Sequence, residues 1–157
     1  MEYKITAKDA FNKYSDMVYR LAFARVKNKY DADDVLQDVF LRFMKVEHKV
    51  TSDEYAKALL IRITINCSKT LLGSSWFKRT EPLSEDLSIS QEDRDTLDAV
   101  LRLPQKYRTV IHMHYYMGYS VEEMAAILKS KPSTVKSWLH RARQKLKTDI
   151  EGVEINV

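Results

Sequence analysis

Glycine and proline are scarce in this chain, three of each in 157 residues. Architectures built on many tight turns, such as sandwiches and small barrels, need far more of both, so helices are the expected currency of the fold. A single cysteine, Cys67, excludes an internal disulfide and suits a reducing cytoplasm. No apolar run approaches the length of a membrane span, and the polar start MEYKITAKDA lacks the shape of a secretory signal. A soluble, cytoplasmic, all-α protein is the expectation.

Catalytic constellations are missing as well. There is no glycine-rich phosphate loop, and His112 and His114 stand two apart, which on a helix sends them to different sides rather than to one metal. His48 and His140 are isolated in sequence. Cys67 lies in an apolar run and reads as a buried structural thiol. Asp31, Asp33 and Asp34 fall near a helix start, where capping and the helix dipole account for them. The chain is therefore expected to be no enzyme and to hold no metal or cofactor.

What is present is hydrophobic residue at 45%, a mild formal charge of +4, and strong local patterning. The clearest pattern runs from Ser120 to Lys147. Ser120 and Glu123 have capping-box spacing, and Val121, Met124, Ala125 and Leu128 follow at helical intervals. Lys129-Ser130-Lys131 breaks the run, and Pro132 suits the first turn of a new helix. That second helix has Val135, Trp138, Leu139, Ala142 and Leu146 on one stripe. Ser133, Thr134, Lys136, Ser137, His140 and Arg141 lie outside it. Seven Lys or Arg, Arg143 among them, occur between Lys129 and Thr148 with no carboxylate. A charge run alone reads as a solvated face, but capping box, turn and one-sided charge together make a helix-turn-helix suited to duplex DNA. Hydroxyls and Lys136 near the helix start can reach base edges, and the later cations suit phosphates.

Upstream, Phe11, Tyr14, Val18, Leu21, Ala22 and Arg25-Val26 predict an amphipathic helix from about Lys8 to Lys27. Asp31 can cap a second helix to about Val46 that buries Ala32, Val35, Leu36, Val39, Phe40 and Phe43. Its opposite face carries Asp34, Gln37, Asp38, Leu41 and Lys45, either a solvated face or a docking stripe. A short loop from Glu47 to Val50 precedes Thr51 and Glu54, again at capping-box spacing, and a third, largely apolar helix to about Leu72, with Gly73 as its C-cap. Trp76-Phe77-Lys78-Arg79 follows. From Glu81 to Asp98 seven carboxylates meet one arginine, so residues 81–92 read as an acidic linker between a domain over 1–80 and another over 93–157. In the second domain Leu97, Val100 and Leu101 form a helical stripe. Pro104 opens a helix carrying Tyr107, Val110, Ile111 and Tyr115 inward, and Gly118 ends it.

Three stretches, in this order and spacing, resemble the extracytoplasmic-function group of bacterial RNA polymerase sigma factors. They are Tyr19-Arg20-Leu21-Ala22 leading to Asp34-Val-Leu-Gln37-Asp38-Val-Phe40, the helix ending Ile63-Thr-Ile-Asn66, and Leu103-Pro104 through Tyr119-Ser120 to Thr134-Val135-Lys136-Ser137 and His140-Arg141-Ala142-Arg143. The resemblance implies a region-two-like domain that binds the polymerase clamp helices through Asp34, Gln37, Asp38 and Leu41 and opens the minus-ten element. His48 and Lys49, in the loop up to Asp53, with Asn66, Lys69, Thr70, Lys78 and Arg79, fall where the family contacts that element. It implies a region-four-like domain that reads the minus-thirty-five duplex through Ser133, Thr134, Lys136, Ser137, His140, Arg141 and Arg143 and touches the polymerase flap. Promoter DNA, core polymerase and an anti-sigma protein, the last often at the membrane, are the implied partners. Three departures stand out: Thr70 replaces an acidic residue, paired arginines are missing near Gly73-Ser74, and Lys129 replaces the turn glycine. A stand-alone helix-turn-helix regulator is the alternative, as is an adaptor that binds polymerase without opening promoters. The acid stripe in a separate domain argues against the regulator.

Overall fold

The computed structural model describes residues 2–72 and 90–151, without the side chains of 70–72, 92–94 and 149–151. Gly73, Trp76, Phe77, Lys78, Arg79, the expected linker up to residue 89 and the last six residues therefore lie outside the described residues, as does the side chain of Thr70. The chain divides into two compact units, Met1–Glu81 and Pro82–Val157. Every described regular element is helical.

The first unit consists of α1 (Ala7–Val26), α2 (Lys29–Val46) and α3 (Asp53–Leu72), each packed on the other two. Ala10, Val18 and Ala22 of α1 interlock with Ala32, Val39 and Phe43 of α2 and with Ala56 and Leu60 of α3. Small residues let the helices approach closely, and Phe43 is the bulkiest of the fully buried side chains among the described residues. Phe11, expected on the buried stripe, is 43% exposed and covers the edge of Phe40, with ring centroids 5.1 Å apart. Arg25 is buried; its Nε donates to the Ser68 hydroxyl, which in turn donates to the Ile65 carbonyl at 2.9 Å.

Helix starts in this unit lie one to three residues from where the sequence places them. Thr6 opens α1 with a capping box, its Oγ1 taking the Asp9 amide at 3.1 Å while Asp9 Oδ2 takes the Thr6 amide at 3.2 Å. Asn28, not Asp31, caps α2: Asn28 Oδ1 accepts the Asp31 amide at 2.8 Å, and its Nδ2 donates back to the Asp31 carboxylate. Asp31 is thus the buried third residue of the helix. Ser52, not Thr51, caps α3, its Oγ accepting the Tyr55 amide at 3.0 Å. Glu47–Lys49 is a 3₁₀ turn rather than an irregular loop.

The second unit consists of α4 (Gln91–Leu101), α5 (Gln105–Ile111), α6 (Val121–Leu128) and α7 (Pro132–Glu151), with α7 packed against the other three. On α4 the buried residue is Ala99; Val100 and Leu101 are only half-buried, and Leu97 is exposed, against the expected stripe. Tyr107, Val110 and Ile111 of α5 are buried as expected, but Tyr115 is 59% exposed and Met113 takes the interior place. The cause is a π turn over His112–Tyr116, closed by the Met117 amide on the His112 carbonyl at 3.1 Å. Its extra residue rotates everything after it out of the 3.6-residue register. Gly118, at φ +80°, then reverses the chain.

The helix-turn-helix forms as its spacing predicts. Ser120 Oγ accepts the Glu123 amide at 3.1 Å, and Glu123 Oε1 accepts the Ser120 amide at 2.8 Å. Lys129 stands at φ 55°, ψ 47°, in the left-handed region. Its amide and that of Ser130 close a Schellman motif on Ala126 and Ala125, at 3.4 and 3.0 Å. A side chain in that conformation costs roughly 1 kcal/mol that glycine does not. Lys129→Gly is therefore expected to raise the stability of this unit by about 0.5–1 kcal/mol in urea titration. No gain, or a loss, would mean that the lysine supplies compensating contacts.

Candidate nucleic-acid interface

Packing sets the outer face of α7. Val135, Leu139 and Ala142 are buried, which turns Ser133, Lys136, His140, Arg141 and Arg143 to solvent, with Thr134 and Ser137 half-buried beside them. The structure thus brings all seven expected residues to the exposed side of one helix. Lys136, His140, Arg143 and Lys147, spaced four, three and four apart, line one flank, and Arg141 and Lys145 the other. A cationic helix opening with hydroxyls has the dimensions and charge to enter a major groove.

Sequence reading missed the partner of Arg143. Its Nε donates to the Tyr115 hydroxyl at 2.5 Å, and the guanidinium carbon lies 5.6 Å from the ring centroid. Two further contacts fix the helix beneath this face. Lys106 sits over both Tyr107 and Trp138, at 5.5 and 5.6 Å, and joins α5 to α7. Arg108 is buried and donates to the Leu103 carbonyl at 2.5 Å, with burial pushing its pKa down to about 10.

In the first unit the acid stripe splits. Asp34, Gln37 and Leu41 are exposed on α2, Leu41 by 61%. Tyr30 and Met44, at 50% and 57%, extend the same line in alternating steps of four and three, an apolar contribution that the sequence reading omitted. Asp38 stands aside from it. Its carboxylate accepts from Arg42 Nη2 at 3.1 Å and from the Cys67 thiol. Burial foremost, and that carboxylate second, push the thiol up to about 12. Cys67 is thus the inert core residue its surroundings suggested.

His48 and Lys49 are both exposed on the 3₁₀ turn. Two carboxylates, one opening the turn and one following it, neither singled out by sequence, tie this segment to α1. Glu47 Oε1 accepts the Ala7 amide at 2.8 Å, satisfying a donor at the open end of α1. Asp53 accepts from the Tyr14 hydroxyl at 2.6 Å, Lys13 Nζ at 2.7 Å and the Tyr3 hydroxyl at 3.3 Å. The Lys13 bond first, and the Tyr14 bond next, hold its carboxyl below the usual range. Asn66 and Lys69 are exposed on the far half of α3. Among the described residues no group of His, Cys, Asp and Glu could hold a metal, and no helix is long and apolar enough to cross a membrane. His114 Nδ1 donates to the Tyr119 carbonyl at 2.7 Å while His112 stacks on Tyr116, so the two histidines do part.

Comparison with known proteins agrees with this layout. Residues 10–77 match the family model for sigma-70 region 2, and residues 93–146 that for sigma-70 region 4. The RNA polymerase sigma-E factor of Streptomyces antibioticus is 31% identical over 153 residues, covering 90% of this chain and 82% of that protein. RNA polymerase sigma factor SigV of Bacillus subtilis is 28% identical over 144 residues, covering 88% and 87%. Among solved structures, the sigma factor RpoE of Bartonella quintana, in complex with the anti-sigma factor NepR, shares the fold with a TM-score of 0.78 at 20% identity, over 93% of this chain and 97% of that one. Two helical units, a basic helix-turn-helix in the second and these relatives lead to one conclusion: the chain belongs to the extracytoplasmic-function sigma factors, which direct promoter-specific initiation by RNA polymerase.

Proposed function

We propose a division of labour in which the first unit docks on core RNA polymerase and holds the melted minus-ten strand, while the second reads the minus-thirty-five duplex. The observation that carries it is the cationic outer face of α7, with five Lys or Arg and no carboxylate from Pro132 to Thr148 and Lys129 and Lys131 in the turn before it, in a chain whose other unit bears an exposed acid and apolar line on α2. Asp34, Gln37 and Leu41, with Asp38 at the side, suit a partner helix of the polymerase clamp. His48 and Lys49 on a braced turn, with Asn66 and Lys69 on α3, suit an unpaired strand, which is held by pocket contacts, stacking and cations on phosphates. Thr70, Lys78 and Arg79 belong to the same assignment by position. Strand opening of this kind uses binding energy alone, without a cofactor or bond chemistry of the chain's own. The relative RpoE is bound to an anti-sigma factor; a comparable protein partner in the cytoplasm suits the exposed helix faces of this chain.

The test is transcription from a genomic DNA library by core polymerase with the purified chain. Discrete start sites sharing two upstream motifs are expected. Tight duplex binding without association with polymerase would overturn the reading and favour a stand-alone regulator. Within it, Lys136→Ala and Arg141→Ala are each expected to weaken binding to the upstream element roughly ten-fold, and Arg141→Ala to lower the slope of log K against log salt by about one. Equal loss on scrambled duplex for Lys136→Ala would remove its base-reading role.

A further inference from the structure

Tyr115 is left exposed by the π turn, where a regular helix would have buried it, and an exposed tyrosine beside a cationic flank calls for an explanation. Its hydroxyl accepts from Arg143 Nε and its ring lies 5.6 Å from the guanidinium carbon, while the ring also stands edge-on to His114, centroids 4.8 Å apart. Among the described residues no carboxylate forms an ion pair with Arg143, so both Nη groups keep their donors. Arginine presents donors as a rigid planar fork, and fixing one edge fixes the direction of the other. Arg143 lies in line with Lys136, His140 and Lys147 on one flank of α7, all exposed. A duplex seated on the α7 face would run its backbone along that flank.

We propose that Tyr115 is a positioning residue for DNA: it holds Arg143 by its Nε edge so that the Nη fork meets a backbone phosphate of the bound duplex. The inference rests on the reading of α7 as the duplex-binding helix. The π turn thereby gains a role, since without its extra residue Tyr115 would lie in the core and Arg143 would swing free. A bidentate fork on a phosphate is stronger and more directional than a mobile cation. Orientation that precedes binding spares ordering of the side chain in the complex.

The experiment compares full-length chains, Tyr115→Phe, Arg143→Gln and the double variant, each assembled with core polymerase, for affinity to a promoter duplex across a salt series. Tyr115→Phe keeps the ring and removes only the hydroxyl. It is expected to lower affinity about three-fold, Arg143→Gln about ten-fold with a slope reduced by about one, and the double variant no further than Arg143→Gln alone. Losses that multiply in the double variant, no loss for Tyr115→Phe, or an unchanged slope for Arg143→Gln would overturn the proposal, since a tyrosine that serves only the fold acts equally with or without Arg143. Lys136→Ala and Arg141→Ala in the same series separate two kinds of failure. If they weaken binding while Arg143→Gln does not, this inference alone falls; if none does, the duplex reading of α7 falls with it.

Discussion

Phe43→Ala is expected to destabilise the first unit by about 3–5 kcal/mol, the range for removing a large aromatic from a filled core. Phe43 is wholly buried in α2 among residues of α1 and α3. The core it belongs to is rich in alanine, Ala10, Ala22, Ala32 and Ala56 among them, and alanines have no side-chain length with which to close a gap. A cavity would therefore persist, and its cost adds to the lost transfer free energy. Folded domains stand only about 5–15 kcal/mol above their unfolded chains. The substitution should remove much of that margin, visible as an earlier urea transition in far-UV circular dichroism of the full chain. A change below about 1 kcal/mol would show that the three helices can collapse onto the space.

Asp34→Ala with Gln37→Ala in one chain is expected to do the reverse, leaving the fold intact while removing function. Both side chains are exposed on α2, and surface changes of this kind stay within about 0.5 kcal/mol of neutral. On the partner side, truncating two central polar contacts costs about 1–2 kcal/mol each, so affinity for core polymerase should fall on the order of a hundred-fold. Competition against unsubstituted chain for a limiting amount of core polymerase measures this. An unchanged ratio would move docking away from the α2 line. Asp38 is not the better choice for this test, because Arg42 and Cys67 hold its carboxylate and its loss would disturb α3 as well.

Local chemistry in this chain is legible where one residue type answers one geometric need. Ser120 with Glu123, the break at Lys129 and Pro132 as first helical residue all appear in the structure as the spacing implies. Legibility fails where neighbours compete for one position. Asn28 and Asp31 both favour caps, as do Thr51 and Ser52, and tertiary packing chooses between them. Thr6 with Asp9 makes the same box as Ser120 with Glu123, but the shorter acid hides it from a pattern written for Glu. The exposure of Tyr115 was beyond periodicity, which assumes 3.6 residues per turn and meets a wider one at His112–Tyr116. Its bond to Arg143 spans 28 positions and has no local signal at all. The acid stripe was visible as a stripe, yet only side-chain positions separate Asp38, engaged within its own unit, from Asp34 and Gln37, which face outward.

The burial of Cys67 has a kinetic consequence. A thiol 4% exposed, with its pKa pushed up to about 12, has almost no thiolate to offer an alkylating reagent while α3 stays seated. Labelling then proceeds only through molecules in which the first unit has opened, at the intrinsic rate multiplied by the open fraction. Because the sequence holds no second cysteine, the whole signal belongs to that unit. The chain thus contains its own clock for the opening of its first unit, one that needs no introduced probe and is blind to events at the helix-turn-helix.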